Sequence, residues 1–141
     1  MSPRSTDSLK ACPTVLVIDD DPAVRCSLEI LLEEYGFQVV AACDGRQGLA
    51  AFRTVVPDIV LTDIMMPVQD GIETIAQIRR ERPNAPIVAM SGGARFGDAD
   101  YLAIALKLGA NDAIEKPFEV DSLVAILRAA TPSASPHAAV A

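Results

Sequence analysis

The sequence predicts a doubly wound α/β domain on a five-stranded parallel sheet. Three observations carry that expectation. Short apolar runs of strand length alternate with helical stripes along the chain, and brief Pro- or Gly-marked turns separate them. Four of the segments also end alike. Val15-Leu16-Val17-Ile18 runs into Asp19-Asp20-Asp21, Ile59-Val60-Leu61-Thr62 into Asp63, and Ile87-Val88-Ala89-Met90 into Ser91, while a fourth, short segment runs into Lys116-Pro117. In an open parallel sheet the C-terminal ends of the strands share one edge, so these polar residues converge in one crevice.

Each element follows from local chemistry. Val15 to Ile18 is too short for a helix, rich in β-branched residues and apolar on both faces, which predicts a buried strand. From Pro22, the apolar residues Val24, Leu28, Leu31, Leu32 and Tyr35 form a helical stripe that Gly36 closes. Phe37 to Ala41 reads as the second strand; Asp44-Gly45 then opens a helix through Leu49 and Phe52 that Pro57 stops. Asp58 to Thr62 is the third strand. A helix from Ile72 to Arg82 follows Pro67 and Gly71 and ends before Pro83. Pro86 introduces the fourth strand, Ile87 to Met90. A Gly-rich loop from Ser91 to Gly97 leads to a helix over Tyr101 to Leu108, stopped by Gly109. A short fifth strand covers Ala113 to Glu115, and Val120, Leu123, Val124 and Leu127 mark the last helix by their i, i+3, i+4, i+7 spacing. The right-handed crossover rule leaves few topologies for such a βα repeat.

The 141 residues suit a single domain, and half of them are hydrophobic, ample for a core. The expected division is a disordered lead-in over residues 1–13, the folded domain over 14–130 and a disordered Pro/Ser/Ala tail over 131–141. A net charge of −7 and the lack of any basic stripe exclude direct nucleic-acid binding. No segment has the length or apolarity of a signal peptide or a membrane span. Cys12, Cys26 and Cys43 lack metal-ligand spacing and read as small buried thiols in a reducing cytoplasm. His137, the one histidine, lies in the polar tail, which disfavours histidine triads and multi-histidine metal sites.

Asp19, Asp20 and Asp63 in one crevice bring like charges together, at a cost unless something neutralises them. A hard divalent cation does so, and Mg²⁺ favours one or two carboxylates plus water and phosphate oxygens. Lys116 adds a positive charge and Ser91 a hydroxyl, both suited to phosphoryl oxygens. The set fits phosphoryl transfer, in which positioning and charge neutralisation do most of the catalysis. A carboxylate can itself be the nucleophile, and Asp63 at the end of a central strand is the foremost candidate. Asp21 precedes Pro22 and reads as a helix N-cap outside the site. The X-Pro bond at Pro117 is a candidate cis peptide that would aim Lys116 inward.

The segments VLVIDDDPAVR (15–25), DIVLTDIMMPVQDG (58–71), IVAMSGG (87–93) and EKPF (115–118) together resemble the receiver domain of bacterial two-component response regulators, across residues 13 to 130. The resemblance implies a flavodoxin-like (βα)₅ fold with strand order 2-1-3-4-5. It implies Asp63 as phospho-acceptor and a Mg²⁺ (or Mn²⁺) site made by Asp19, Asp20, Asp63 and the main-chain carbonyl of Met65. Within it Asp20 would bind the metal directly and Asp19 mainly through water. Ser91 and Lys116 would contact the phosphoryl group, and Gly92 would leave room for water or a partner's imidazole. The implied partners are a histidine kinase or histidine phosphotransfer protein and a downstream protein, with no nucleic acid and no membrane. The short polar stretch after the last helix predicts a stand-alone receiver that signals by protein contact.

Two departures stand out. Receivers commonly carry Tyr or Phe three residues before the lysine, where this chain has Ala113. The Ser91–Lys116 stretch is also longer than usual, with the extra length over Gly92 to Asp98, so that loop and its helix are expected to carry the response, with Phe96 or Tyr101 as substitute rings. Two other readings fit less well. An aspartyl-phosphate phosphatase would need a second acid where Met65 stands, and a degenerate receiver-like module would lack the acids or the lysine. A nucleoside-triphosphate site is disfavoured because GxxxxGK[ST] is absent.

Overall fold

The computed structural model describes residues 12–64, 71–91 and 98–131, with backbone alone over 98–102. The lead-in up to residue 11, Met65, Pro67, Gly92, Phe96, His137 and the tail from residue 132 lie outside the described residues, as does the side chain of Tyr101. Five strands alternate with five helices among the described residues: β1 (Thr14–Ile18), α1 (Pro22–Glu34), β2 (Gln38–Ala42), α2 (Gly45–Val55), β3 (Ile59–Asp63), α3 (Gly71–Glu81), β4 (Ile87–Ser91), α4 (Asp98–Leu108), β5 (Asp112–Glu115) and α5 (Val120–Ala130). All neighbouring strands are parallel and the order is β2-β1-β3-β4-β5. This is the doubly wound, flavodoxin-like architecture the sequence predicts.

Alternation of side chains across each strand creates two cores. Leu16 and Ile18 face a layer with Leu49, Phe52, Ile75, Ile78 and Ala105, from α2, α3 and α4. Val15 and Val17 face the other side, with Leu28 and Leu32 of α1 and Leu123, Val124 and Leu127 of α5. Every residue of the inner strands β3 and β4 is buried, whereas the edge strands β2 and β5 are partly exposed. That contrast is why the central runs read as continuous apolar segments and the fifth strand as a weak one.

Several boundaries shift, and each shift has a cause. The ladder pairs Asp63 with Met90 and Ser91 with Glu115, so β3 and β4 each extend onto the residue expected just beyond them. β2 starts at Gln38, because the Phe37 amide donates back to the Leu32 carbonyl (3.1 Å) as part of the α1 terminus. α4 starts at Asp98, three residues earlier than its apolar pattern shows. The expectation of buried thiols is corrected. Cys26 is exposed and Cys12 and Cys43 are partly so. Cys26 lies two residues after Val24 and two before Leu28, on the side of α1 turned from the sheet.

Asp21 caps α1: its Oδ1 accepts the Ala23 amide at 2.9 Å, and Pro22 occupies the first turn. Asp44 caps α2 through the Gln47 amide at 2.8 Å. Asp21→Ala is expected to lower the unfolding free energy by about 1 kcal/mol and Asp21→Gly by only a few tenths of that. Urea titration checks the order; equal losses in the two variants would contradict the capping role.

Candidate functional site

The C-terminal edge of the sheet gathers the polar residues. Asp19 directly follows β1, and its amide donates to the Ala42 carbonyl at 3.1 Å, which carries the β1–β2 ladder one step further. Its carboxylate is fully buried. Oδ1 accepts the Asp21 amide at 2.9 Å, and Oδ2 accepts Lys116 Nζ at 2.7 Å. Lys116 Nζ also lies 3.5 Å from Asp63 Oδ2, so one ammonium bridges the two buried acids. Burial works against the charge on Lys116. The hydrogen bond to Asp19 and the nearby charges of Asp63 and Asp19 outweigh it, and hold the lysine pKa above its ordinary value.

Asp20 stays exposed, yet Asp19, Asp20 and Asp63 can each present a carboxylate oxygen within 4.8 Å of the other two. The set contains only hard oxygen donors. Two are buried and fixed by strand ends and one faces solvent, which suits Mg²⁺ or Mn²⁺ better than a soft metal. The acidic triad is typical of a receiver Mg²⁺ site.

The backbone around the site is held as firmly as the side chains. Lys116 N donates to the Ser91 carbonyl at 2.8 Å, joining the ends of β5 and β4. Ser91 is fully buried as the last residue of β4. The Lys116–Pro117 peptide is cis. The Ile64 amide donates to the Met90 carbonyl at 3.0 Å, beside the Asp63–Met90 pair. Ala113 is half-buried and packs against the core layer that holds residues of α2, α3 and α4.

Two residues of the site escaped the sequence reading. Arg25 donates Nη1 to the Asp19 carbonyl at 2.9 Å and steadies the β1–α1 turn. Gly71 opens α3 with its amide on the Ile64 carbonyl at 3.1 Å, and a Cβ there would overlap the Asp63 carbonyl oxygen and the Ile64 backbone. A basic residue one turn into a capped helix and a glycine at a helix start are weak signals by themselves. Their role depends on what the fold places beside them.

Three acids and a lysine on the C-terminal edge of a 2-1-3-4-5 parallel sheet define a phospho-acceptor class of signalling domain. Residues 15–128 match the response regulator receiver domain, and the chain belongs to that family. Members are phospho-acceptor signalling modules, not enzymes that turn over a separate substrate. The transcriptional regulatory protein FixJ of Bradyrhizobium diazoefficiens is 40% identical over 124 residues, 88% of this chain and 59% of that protein. The transcriptional regulatory protein CseB of Streptomyces avermitilis is 40% identical over 115 residues, 82% of this chain and 47% of that protein. The chain thus spans about half the length of the curated relatives it matches.

Among solved structures, a response regulator receiver domain protein from Clostridium thermocellum superposes with a TM-score of 0.79 at 29% identity, covering 84% of this chain and 93% of that one. The chemotaxis protein CheY4 of Vibrio cholerae superposes at 0.77 with 26% identity, covering 85% of this chain and 99% of that one. No helix among the described residues is long and apolar enough to cross a membrane.

Gly71→Ala is expected to destabilise the domain by about 3 kcal/mol, because the clash is with backbone that cannot rotate away. It should also weaken Mg²⁺ binding, since the displaced peptide carries Asp63. Thermal unfolding and calorimetric Mg²⁺ titration read the two effects; wild-type values in both would refute the close contact.

Proposed function

We propose that this domain accepts a phosphoryl group on Asp63 from the phosphohistidine of a histidine kinase or histidine phosphotransfer protein. It then signals through contact with a downstream protein. The observation that supports this reading most directly is the bridging of Asp19 and Asp63 by Lys116, beside an exposed Asp20. Asp20 would hold Mg²⁺ directly, with Asp63 and the Met65 carbonyl. Asp19, with one oxygen on a backbone amide and the other on the lysine, would act through water. The bound ion would neutralise charge on the incoming phosphoryl oxygens.

In the transfer, a carboxylate oxygen of Asp63 forms the new P–O bond while the P–N bond of phosphohistidine breaks. The bonding pair returns to the imidazole nitrogen. The donor ring, protonated on its other nitrogen, leaves as neutral imidazole. Lys116 follows the charge: once an oxygen of Asp63 is joined to phosphorus as an acyl phosphate, the ammonium is drawn to the phosphoryl oxygens. Ser91 would supply a hydroxyl to the same group, and Gly92 would leave the approach open. Water attack at phosphorus reverses the modification.

A groove of about 360 Å³ borders Lys116 and is lined by Val24, Ser27, Leu28, Leu31, Pro117 and Phe118. The groove shares Lys116 with the acidic site and is otherwise mostly apolar, and it is the proposed seat of the phosphodonor protein.

Asp63→Asn is expected to abolish phosphate uptake from acetyl phosphate and Mg²⁺, read by intact-protein mass; uptake at the wild-type level would overturn the assignment. Ser27→Arg places a charge in the groove without touching the acids. It is expected to slow transfer from a phosphorylated histidine kinase by about tenfold, near 1.4 kcal/mol of lost docking energy, and to leave uptake from acetyl phosphate unchanged. Equal slowing with both donors would place the effect outside docking.

A further inference from the structure

The C-terminal end of α4 is held by one side chain from α3. Arg79 lies in the last turn of α3. Its Nη1 donates to the carbonyls of Pro83 (2.6 Å) and Arg82 (3.4 Å), just past its own helix. Its Nη2 donates to the Gly109 carbonyl (2.6 Å), just past α4, and to Asn111 Oδ1 (3.4 Å). The same Asn111 oxygen accepts the Ile87 amide at 2.8 Å, and the Asn111 amide donates to the Ile87 carbonyl at 2.6 Å. One planar cation therefore closes two helix C-termini, where carbonyls and the dipole both favour positive charge, and ties them to the start of β4. Gly109 permits the approach. Its φ is +122°, and a Cβ there would lie 2.7 Å from Arg79 Nε.

Most of the described side chains of α4 face outward. Among its described side chains Ala105 is buried, whereas Ile104, Leu106 and Leu108 are 43%, 47% and 37% exposed. Ala105 belongs to the core layer that holds Ile87 and Ala89 of β4, Ile75 and Ile78 of α3, and Ala110, with Ala113 packed against it. Among the described residues, the arginine fork gives the C-terminal end of α4 a directional hold.

We propose that Arg79 is the pivot of α4: it fixes the Gly109 end, so that phosphorylation of Asp63 moves the Asp98 end while the C-terminal turn stays in place. The pivot rests on the phospho-acceptor reading above, and it assigns the conformational response to the first half of α4 instead of an aromatic at position 113. Arg79 touches none of the acids and is a positioning residue.

Amide hydrogen exchange of the full chain by NMR tests it, with and without Mg²⁺ and beryllium fluoride, a phosphoryl mimic that adds to carboxylates. In the wild type, activation is expected to change exchange at residues 98–104 and leave Gly109, Ala110 and Asn111 protected. Arg79→Met is expected to lower protection at those three amides about tenfold before activation, and to let activation perturb them as well. Arg79→Lys keeps the charge but cannot span both carbonyls, and is expected to match Arg79→Met at Gly109. Wild-type protection at 109–111 lost on activation as fully as at 98–104 would overturn the pivot, as would unchanged protection in Arg79→Met. Should Arg79→Met fail to fold, the wild-type comparison and Arg79→Lys still decide. If no residue near Asp63 responds to beryllium fluoride, the phospho-acceptor reading fails, and the anchoring of α4 is still judged from the unactivated proteins.

Discussion

The structure depends on a charge balance at one edge of its sheet. Asp19 and Asp63 are both buried, and a single ammonium, Lys116, lies between them. Two carboxylates in that setting repel one another and resist burial, so the fold can hold them only with positive charge at hand. Parallel pairing supplies the geometry: β1, β3 and β5 end at one edge, and each delivers its charged residue there. The same crowding of hard oxygen donors suits the crevice to a hard cation. On the proposed function, a divalent ion or a phosphoryl group entering the crevice would change that balance directly.

The layers around the sheet separate rigid parts from adaptable ones. β1, β3 and β4 are apolar on both faces and carry Asp19, Asp63 and Ser91 at or just past their last residues, so those groups start from fixed backbone. Lys116 comes from the end of β5, an edge strand, and is joined to the centre by its amide on the Ser91 carbonyl. α2 and α3 are clamped on the surface by the paired Arg53 and Glu81 side chains, while Tyr35 and Arg128 link the end of α1 to α5. α4 is tied down at its C-terminal end by Arg79.

Most of the fold was legible because its signals are local. Strand runs, helical stripes, Asp21 and Asp44 as caps, and Gly109 as a stop are all decided within a few residues, and all appear in the structure. Strand ends were less legible, since Asp63 and Ser91 belong to their strands only through partners on the next one. Cys26 was misread because burial depends on which face of α1 turns inward. The acids and Lys116 were legible as a set because parallel topology makes strand ends converge. Gly71 and Arg25 were not, because their importance comes from the Asp63 and Asp19 carbonyls they approach.

By itself, the sequence determined the architecture, the family and the identity of the charged residues at the sheet edge, through periodicity, turn chemistry and motif order. Tertiary structure alone decided how those charges pair. It set both oxygens of Asp19 in hydrogen bonds while Asp20 stayed in solvent, and it laid one arginine across the ends of two helices. Such contacts join residues far apart in the chain, and their strength depends on distance, burial and direction, none of which a linear pattern contains.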